Sequence, residues 1–296
     1  MIRVGLIGVG IMGQGIAFNL VTKGFPVALL DHPGNQPLDE LTAAGARVCA
    51  SLSEIAEQAS VIILCVTGAP EVEAILSGAG GLAERLGPGS IVIDCSTSLP
   101  STTLRMAALL QDRGAAFLDA PMTRLAKEAR EGRLNLLVGG DPEVLAAVRP
   151  VLQAFAENIT LVGPVGAGHR MKLLHNYVSL GFMTLLAEAA AHAATAGVDA
   201  ETFVDVLEKG GGAGAALKRL TPPIVSGATD SVPFAVGNAL KDIRYYLQMA
   251  RDMQVSSGVA EAVAEALSQQ ADAGFEKKYM SDLVALMRAH ERSARN

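Results

Sequence analysis

The chain lacks the features that mark several large protein classes. Its 296 residues hold three cysteines, Cys49, Cys65 and Cys95, set 16 and 30 positions apart with no CxxC pair and no His in ligand spacing. That pattern argues against a disulfide framework and against a structural zinc site. Cys65 and Cys95 fall inside apolar, strand-like runs and read as small buried residues. Positive charge is short: 24 Lys and Arg face 30 Asp and Glu, a formal net charge of −6. Non-specific nucleic-acid binding runs on clustered Lys and Arg, so a nucleic-acid partner is not expected. The apolar runs, such as 61–66, fall far short of the roughly 20 residues that a membrane span needs, so no membrane is expected either. The first residues, Met1-Ile2-Arg3-Val4-Gly5, show no basic stretch followed by a long apolar core, so no signal peptide is read there. HExxH, EF-hand, GxSxG and P-loop patterns are absent, as are carboxylate clusters, and no metal is predicted. Disorder is excluded too, because 50% of the residues are hydrophobic and only 18% are charged. Unpaired cysteines without a leader predict a cytoplasmic protein.

What is present divides in two. Up to about residue 163, short β-rich runs alternate with helix-like stretches. Strands are predicted over 2–7, 27–30, 61–66, 91–94, 117–118, 135–138 and 160–162, with a helix over 12–23. The runs at 61–66 and 91–94 are almost continuously apolar, as strands buried on both faces of a parallel sheet are. Strand–helix alternation argues for an α/β doubly wound sheet. Beyond Gly168 the strands cease. Residues 171–196 contain no Pro, a single Gly (Gly181) and mostly Leu and Ala; as one helix they would run about 39 Å. Further helices are predicted over 200–209, 235–253, 258–273 and 280–290. The expectation is a Rossmann-type domain over 1–163, then an all-α domain over 164–296 that begins on a long helix. The long helix is apolar on more than one face, which suits a buried helix or a subunit interface.

Gly8-Val9-Gly10-Ile11-Met12-Gly13 is a GxGxxG that follows the first strand and opens the first helix. In that context Gly8 permits the turn, Gly10 lets the backbone approach a pyrophosphate, and Gly13 lets helix and strand pack closely. The helix N-terminus supplies free N–H groups and the positive end of its dipole. Asp31 closes the second strand, 18 residues after Gly13, where an acid bonds the ribose 2′-OH of NAD. His32, Pro33, Gly34 and Asn35 follow, with no Arg or Lys to receive a 2′-phosphate, so NAD is preferred to NADP.

Several further motifs agree with one another: Asp94-Cys95-Ser96-Thr97 with Pro100; Asp119-Ala120-Pro121-Met122-Thr123 continuing through Ala129 to Gly132; Gly166-x-Gly168-x-x-x-Lys172-x-x-x-Asn176; and Lys241-Asp242. With the N-terminal signature they resemble the β-hydroxyacid dehydrogenases, the group that includes 3-hydroxyisobutyrate dehydrogenase and tartronate semialdehyde reductase, from residue 1 to about 290. The resemblance implies NAD-dependent oxidation of a short 3-hydroxy acid, or the reverse reduction of its semialdehyde, by a homodimer or homotetramer. It implies cofactor contacts at Gly8, Val9, Gly10, Ile11, Met12, Gly13, Asp31, Val66, Thr97 and Lys241. It implies substrate contacts at Ser96 and Thr123, and catalysis by Lys172 with Asn176.

The chemistry fits those residue types. An alcohol oxidation sends a hydride to the nicotinamide and a proton to a positioned acid/base. Lys172 and Asn176, four apart, share a helix face just past a Gly-rich domain junction, where clefts form. A cationic ring beside Lys172 would disfavour its ammonium form. The substrate loop departs from most relatives, in which Ser is followed by two glycines. Here Thr123 keeps the hydroxyl, while Arg124 and Leu125 replace the glycines. That implies a side-chain anion clamp by Arg124 in place of backbone cradling, suited to a sulfonate, as in the sulfolactaldehyde reductase branch, or to a second carboxylate. Lys127, Arg130 and Arg133 read as exposed charges, and His169 and His175 as core or surface residues. The segment 210–214 reads as a connector or a closing loop. Two other readings stand beside the dehydrogenase: an imine reductase of the same fold, which usually lacks the catalytic Lys, and a non-catalytic NAD(H)-binding sensor.

Overall fold

The structure is a computed structural model that describes residues 1–294. The chain divides into two compact units, one spanning Met1–Lys172 and one that starts at Leu173.

The first unit is built on nine strands: β1 (Val4–Ile7), β2 (Val27–Leu30), β3 (Arg47–Cys49), β4 (Val61–Leu64), β5 (Ile91–Asp94), β6 (Ala116–Asp119), β7 (Met122–Thr123), β8 (Leu134–Gly139) and β9 (Ala156–Gly163). Between them run α1 (Ile11–Thr22), α2 (Asp39–Ala43), α3 (Leu52–Gln58), α4 (Ala69–Ser77), α5 (Pro100–Gln111), α6 (Ala126–Arg130) and α7 (Pro142–Leu152). The sheet order is β3-β2-β1-β4-β5-β6-β8-β7, with β9 on β8. Its first six strands are parallel and follow the doubly wound order that reverses between β1 and β4. Successive residues of each strand point to opposite faces. Leu6, Ile63, Ile93 and Leu118 therefore enter one apolar core, while Ile7, Ile62, Val92 and Phe117 enter the other. Both faces are covered, which is why these strands read as unbroken apolar runs.

Sequence periodicity missed two strands. β3 is three residues long and mostly exposed, so it has no apolar pattern to read. β7 has two residues and pairs antiparallel with β8, Met122 opposite Leu136 and Thr123 opposite Asn135. The run predicted over 61–66 leaves the sheet after Leu64, because Cys65 and Val66 turn toward the Gly8 loop.

The helix α8 (Ala167–Thr195) begins in the first unit and continues into the second. The second unit adds α9 (Ala200–Glu208), α10 (Ala215–Ser226), α11 (Val236–Asp252), α12 (Gly258–Gln270) and α13 (Leu283–Ala294). Leu180, Met183, Ala187 and Ala190 recur at helical spacing on α8 and meet Leu217, Leu220, Leu240 and Ile243 in one core. α10 was not anticipated, since Pro222 and Pro223 lie inside it. An interior proline costs a helix about 3 kcal/mol; burial of Ala216, Leu217 and Leu220 outweighs that here. Residues 210–214 connect α9 to α10. One expectation needs correction: α8 has 29 residues and contains an 18-residue stretch with a mean hydropathy of 1.2, so by length and composition alone it is long and apolar enough to cross a membrane. Polar residues interrupt its apolar runs, so no continuous apolar stretch showed in the sequence, and its apolar stripe forms the core of the second unit.

Candidate active site

The turn from β1 into α1 is shaped by its glycines. Gly8 holds φ 96°, and a Cβ there would lie 2.2 Å from the Cys65 carbonyl oxygen. A Cβ on Gly13 would lie 2.0 Å from the Gly8 carbonyl oxygen. A Cβ on Gly10 would meet nothing within 4 Å. Two glycines therefore serve packing, and the third leaves an open approach to the backbone. No side chain caps the first turn of α1 and no acidic residue lies in it. The N–H groups of that turn keep their capacity for an anion, and the site fits a pyrophosphate. Asn35 ties the turn to β2, accepting from the Val9 N–H at 3.2 Å and donating to the Leu30 carbonyl at 2.9 Å. Asp31 is exposed just past β2. His32 beside it uses Nδ1 to accept from the Gly34 N–H at 3.0 Å. Ile11 is exposed, and Val9 and Met12 contribute to the core.

Val66 and Ser96 meet beyond the ends of β4 and β5, where the Val66 N–H donates to Ser96 Oγ at 3.0 Å. Ser96 is buried, so its hydroxyl braces the turn that carries half-buried Thr97.

Below that turn lies a buried polar cluster that the sequence did not disclose. Asp119, at the end of β6, accepts from the Gly166 N–H at 2.7 Å and from the His169 N–H at 2.8 Å, and so anchors the start of α8. The approach depends on glycine: a Cβ on Gly139 would fall 2.5 Å from Asp119 Oδ1, and one on Gly168 would fall 2.3 Å from the Leu137 carbonyl oxygen. His169 is fully buried. Its Nε2 donates to the Ser96 carbonyl at 3.1 Å, and its Nδ1 bonds Thr103 Oγ1 at 2.7 Å. Asp94 Oδ1 accepts from the Ser96 N–H at 2.9 Å, and its Oδ2 lies 3.9 Å from His169 Nε2. Burial pushes the Asp119 carboxyl above its ordinary value, with His169 and the backbone N–H groups pulling the other way. His169 thus joins the Ser96 turn to the helix that bears Lys172. The available signal was the pairing of Asp119 with Gly166-x-Gly168-His169, but nothing local says that the two segments meet.

Lys172 stands half-buried, one turn further along α8. Its Nζ donates to the Met122 carbonyl oxygen at 2.7 Å, which sets it against the residue before Thr123. Thr123 is 9% exposed and its Oγ1 accepts from Asn135 Nδ2 at 3.1 Å. Arg124 holds φ 79°, a left-handed conformation that favours glycine. The loop has kept the glycine-like backbone path despite the side chain. The Arg124 guanidinium is engaged by the Glu157 carboxylate and by the Arg133 carbonyl. Arg130 pairs with Glu40, and Arg133 pairs with Glu131.

In the second unit, Asn176 is buried and donates through Nδ2 to Asp242 Oδ2 at 2.6 Å. His175 Nδ1 donates to Asn176 Oδ1 at 3.0 Å. Lys241 Nζ lies 2.9 Å from Asp242 Oδ1 and 4.9 Å from the Tyr245 ring centroid. Asp242, read from the sequence only as part of a motif, is the link that holds Asn176 and Lys241 together.

All three cysteines are free, and burial pushes the Cys65 thiol up to about 12 and the Cys95 thiol well above its ordinary value. Neither supplies a thiolate near neutrality. Among the described residues, no group of three or more His, Cys, Asp and Glu is placed to hold a metal ion.

Comparison with known proteins bears on what this arrangement does. Residues 3–163 match the family model described as the NAD binding domain of 6-phosphogluconate dehydrogenase. Residues 166–289 match that described as NAD-binding of NADP-dependent 3-hydroxyisobutyrate dehydrogenase. The chain is 30% identical to the NAD-dependent L-serine dehydrogenase of Pseudomonas aeruginosa, over 89% of this chain and 87% of that protein. It is 30% identical to the L-threonate dehydrogenase of Cupriavidus necator, over 92% and 91%. The solved 3-hydroxyisobutyrate dehydrogenase of Mycobacterium tuberculosis with L-serine superposes at a TM-score of 0.87 and 26% identity, over 97% of this chain and 99% of that one. An imine reductase from Myxococcus stipitatus, at a TM-score of 0.62 and 18% identity, shares the fold alone. A doubly wound nucleotide domain, a following helical unit and these matches along nearly the whole chain lead to one conclusion: the chain belongs to the β-hydroxyacid dehydrogenases, NAD(P)-dependent oxidoreductases of the 3-hydroxyisobutyrate dehydrogenase type.

Proposed function

We propose that this protein oxidises a short 3-hydroxy acid with NAD⁺, or reduces the matching semialdehyde with NADH. The observation that carries the reading is the hydrogen bond of Lys172 Nζ to the Met122 carbonyl, which holds an amine against the loop that bears Thr123. When bound, the dinucleotide supplies the hydride acceptor or donor. Residues 8–13, with Val66 and Thr97, would hold its pyrophosphate and neighbouring parts. Asp31 favours a free ribose 2′-OH, and no Arg or Lys follows it as far as Gln36, which supports NAD over NADP.

In this reading the Lys172 amine takes the proton from the substrate hydroxyl during oxidation and returns it during reduction. Asn176 lies one turn along the same helix, with Cβ atoms about 5–6 Å apart at that spacing. Its amide is aimed by Asp242, and it bonds the substrate oxygen or the Lys172 amine without titrating. The Thr123 hydroxyl receives the acid group, while Ser96 shapes the turn beside it. The finer form of the reading gives the substrate a second acid group, sulfonate or carboxylate, gripped by Arg124. Its support is a guanidinium one residue from Thr123, held by a half-exposed ion pair with Glu157. Such pairs contribute little and exchange easily.

Self-association and a cytoplasmic location complete the reading. Leu174, Val178 and Leu185 recur on one exposed face of α8, with Val178 67% exposed, and a second copy of the chain would cover them. The three cysteines are all unpaired, as a reducing compartment requires.

The test is Lys172→Ala. We expect kcat to fall about 10²–10⁴-fold with the Kd for NADH unchanged by fluorescence titration. Near-normal turnover refutes the assignment. NADH binding by the wild type without turnover of any hydroxy acid would favour a sensor instead. A panel of 3-hydroxy monocarboxylates, dicarboxylates and hydroxysulfonates tests the Arg124 clamp; it requires the doubly acidic substrates to win by about tenfold, or 1.4 kcal/mol.

A further inference from the structure

Thr123, Asn135 and Asn158 lie side by side across three adjacent strands. The register sets Thr123 opposite Asn135 on β7 and β8, and Asn135 opposite Asn158 on β8 and β9. Their side chains form a directed chain. Asn158 Nδ2 donates to Asn135 Oδ1 at 2.8 Å, and Asn135 Nδ2 donates to Thr123 Oγ1 at 3.1 Å. A hydroxyl carries one proton and two acceptor sites. With one site filled by Asn135, the Thr123 proton is directed elsewhere, and among the described residues no acceptor takes it. The carbonyl oxygen of the preceding residue, Met122, is already occupied by Lys172 Nζ. All three residues stand on paired strands, which hold a side chain more firmly than a free loop does.

We infer that Asn135, held by Asn158, is a positioning residue that makes the Thr123 hydroxyl a fixed hydrogen-bond donor toward an acid-group oxygen of the substrate. The inference rests on the dehydrogenase reading above and deepens it. A hydroxyl whose proton is turned away from Asn135 presents that proton to an acceptor, which suits an oxyanion. Amide chains of this kind polarise along their length, which strengthens the last donor. Asn158 is exposed, so it acts only by fixing which way the Asn135 amide faces.

The experiment is a double-mutant cycle on the full chain, with 3-hydroxypropionate as substrate and saturating NAD⁺. Asn135→Leu removes the donor without adding charge. We expect it to raise KM about fivefold to tenfold, the worth of one oriented hydrogen bond, with kcat and the NADH Kd within about twofold. Thr123→Val raises KM at least as much. The double variant is then no worse than Thr123→Val alone, because Asn135 acts only through that hydroxyl. Asn158→Ala, an exposed change that leaves the fold intact, raises KM in the same direction by less. Additive effects in the double variant overturn the inference, since a merely structural Asn135 or one touching substrate directly would add. A fall in KM for Asn135→Leu overturns it too, because that would mean Thr123 was donating to Asn135. If the wild type turns over no hydroxy acid, the dehydrogenase reading fails separately. Calorimetric titration of malonate into the NADH-saturated variants then makes the same comparison without turnover, and absence of malonate binding to the wild type also overturns the inference.

Discussion

The sharpest test of the nucleotide site separates two glycines three residues apart. In Gly13→Ala the new methyl would stand 2.0 Å from the Gly8 carbonyl oxygen, where ordinary contact begins at 3.4 Å. The turn must open by about 1.4 Å, and backbone, unlike the end of a flexible side chain, has no rotamer to yield. Overpacking of this kind costs about 1–3 kcal/mol or more. Alanine in place of an interior helical glycine returns somewhat under 1 kcal/mol. A net loss of up to about 2 kcal/mol lowers Tm by up to roughly 8 °C for a unit of this size. In Gly10→Ala the methyl meets nothing within 4 Å, and the residue is extended at φ −76°. Alanine is a poorer N-cap than glycine, which costs up to about 1 kcal/mol and a Tm change of only a few degrees. The space it fills is the one a pyrophosphate would use. Thermal unfolding and NADH fluorescence titration should therefore diverge. Gly13→Ala loses stability and binding together, while Gly10→Ala holds its Tm to within a few degrees and binds NADH at least about tenfold more weakly, or 1.4 kcal/mol. A Gly10→Ala protein with the wild-type Kd refutes the assignment of that surface to the dinucleotide. A Gly13→Ala protein with the wild-type Tm refutes the packing argument.

Three further outcomes are expected. Burial raises the Asp119 carboxyl, so its contribution to stability is full below the unfolded value near pH 4 and is lost as pH rises through the folded value. Asp119→Asn should flatten that slope in denaturant titrations, and should cost about 1–3 kcal/mol because one of the two N–H groups loses its acceptor; an unchanged slope refutes it. Asp31→Ala should narrow the preference for NAD over NADP by about tenfold, as the ribose contact and the repulsion of a 2′-phosphate both vanish; an unaltered ratio of the two KM values contradicts the role. Val178→Glu, by putting a charge in the exposed apolar row of α8, should reduce the sedimentation mass to that of a monomer, and a wild-type mass would place the interface elsewhere.

Much of the fold was legible because its signals are local. A buried parallel strand is an apolar run, and 27–30 and 91–94 match β2 and β5 residue for residue. Propensity failed where packing overrode it, as at Pro222 and Pro223 inside α10, or where the element was too short to show a period, as in β3 and β7. Arg124 shows the limit at a single position. Its residue type implied a side-chain clamp in place of backbone cradling, but the neighbours hold φ at a glycine-like 79° and take the guanidinium to Glu157.

The sequence by itself determined the doubly wound unit, the helical unit after it, the glycine turn at residues 8–13 and the spacing of Lys172 and Asn176. Each depends on residues close in the chain, where periodicity, glycine geometry and helical pitch act directly. Only the tertiary structure decided which distant groups meet. Asp119 anchors α8 from 47 residues away, His169 reaches back to Ser96, Asp242 aims Asn176, and the Lys172 amine rests on the Met122 carbonyl. Those pairings carry no local periodic signal, because a hydrogen bond between remote segments is set by how sheet and helices pack and leaves no pattern in either segment alone.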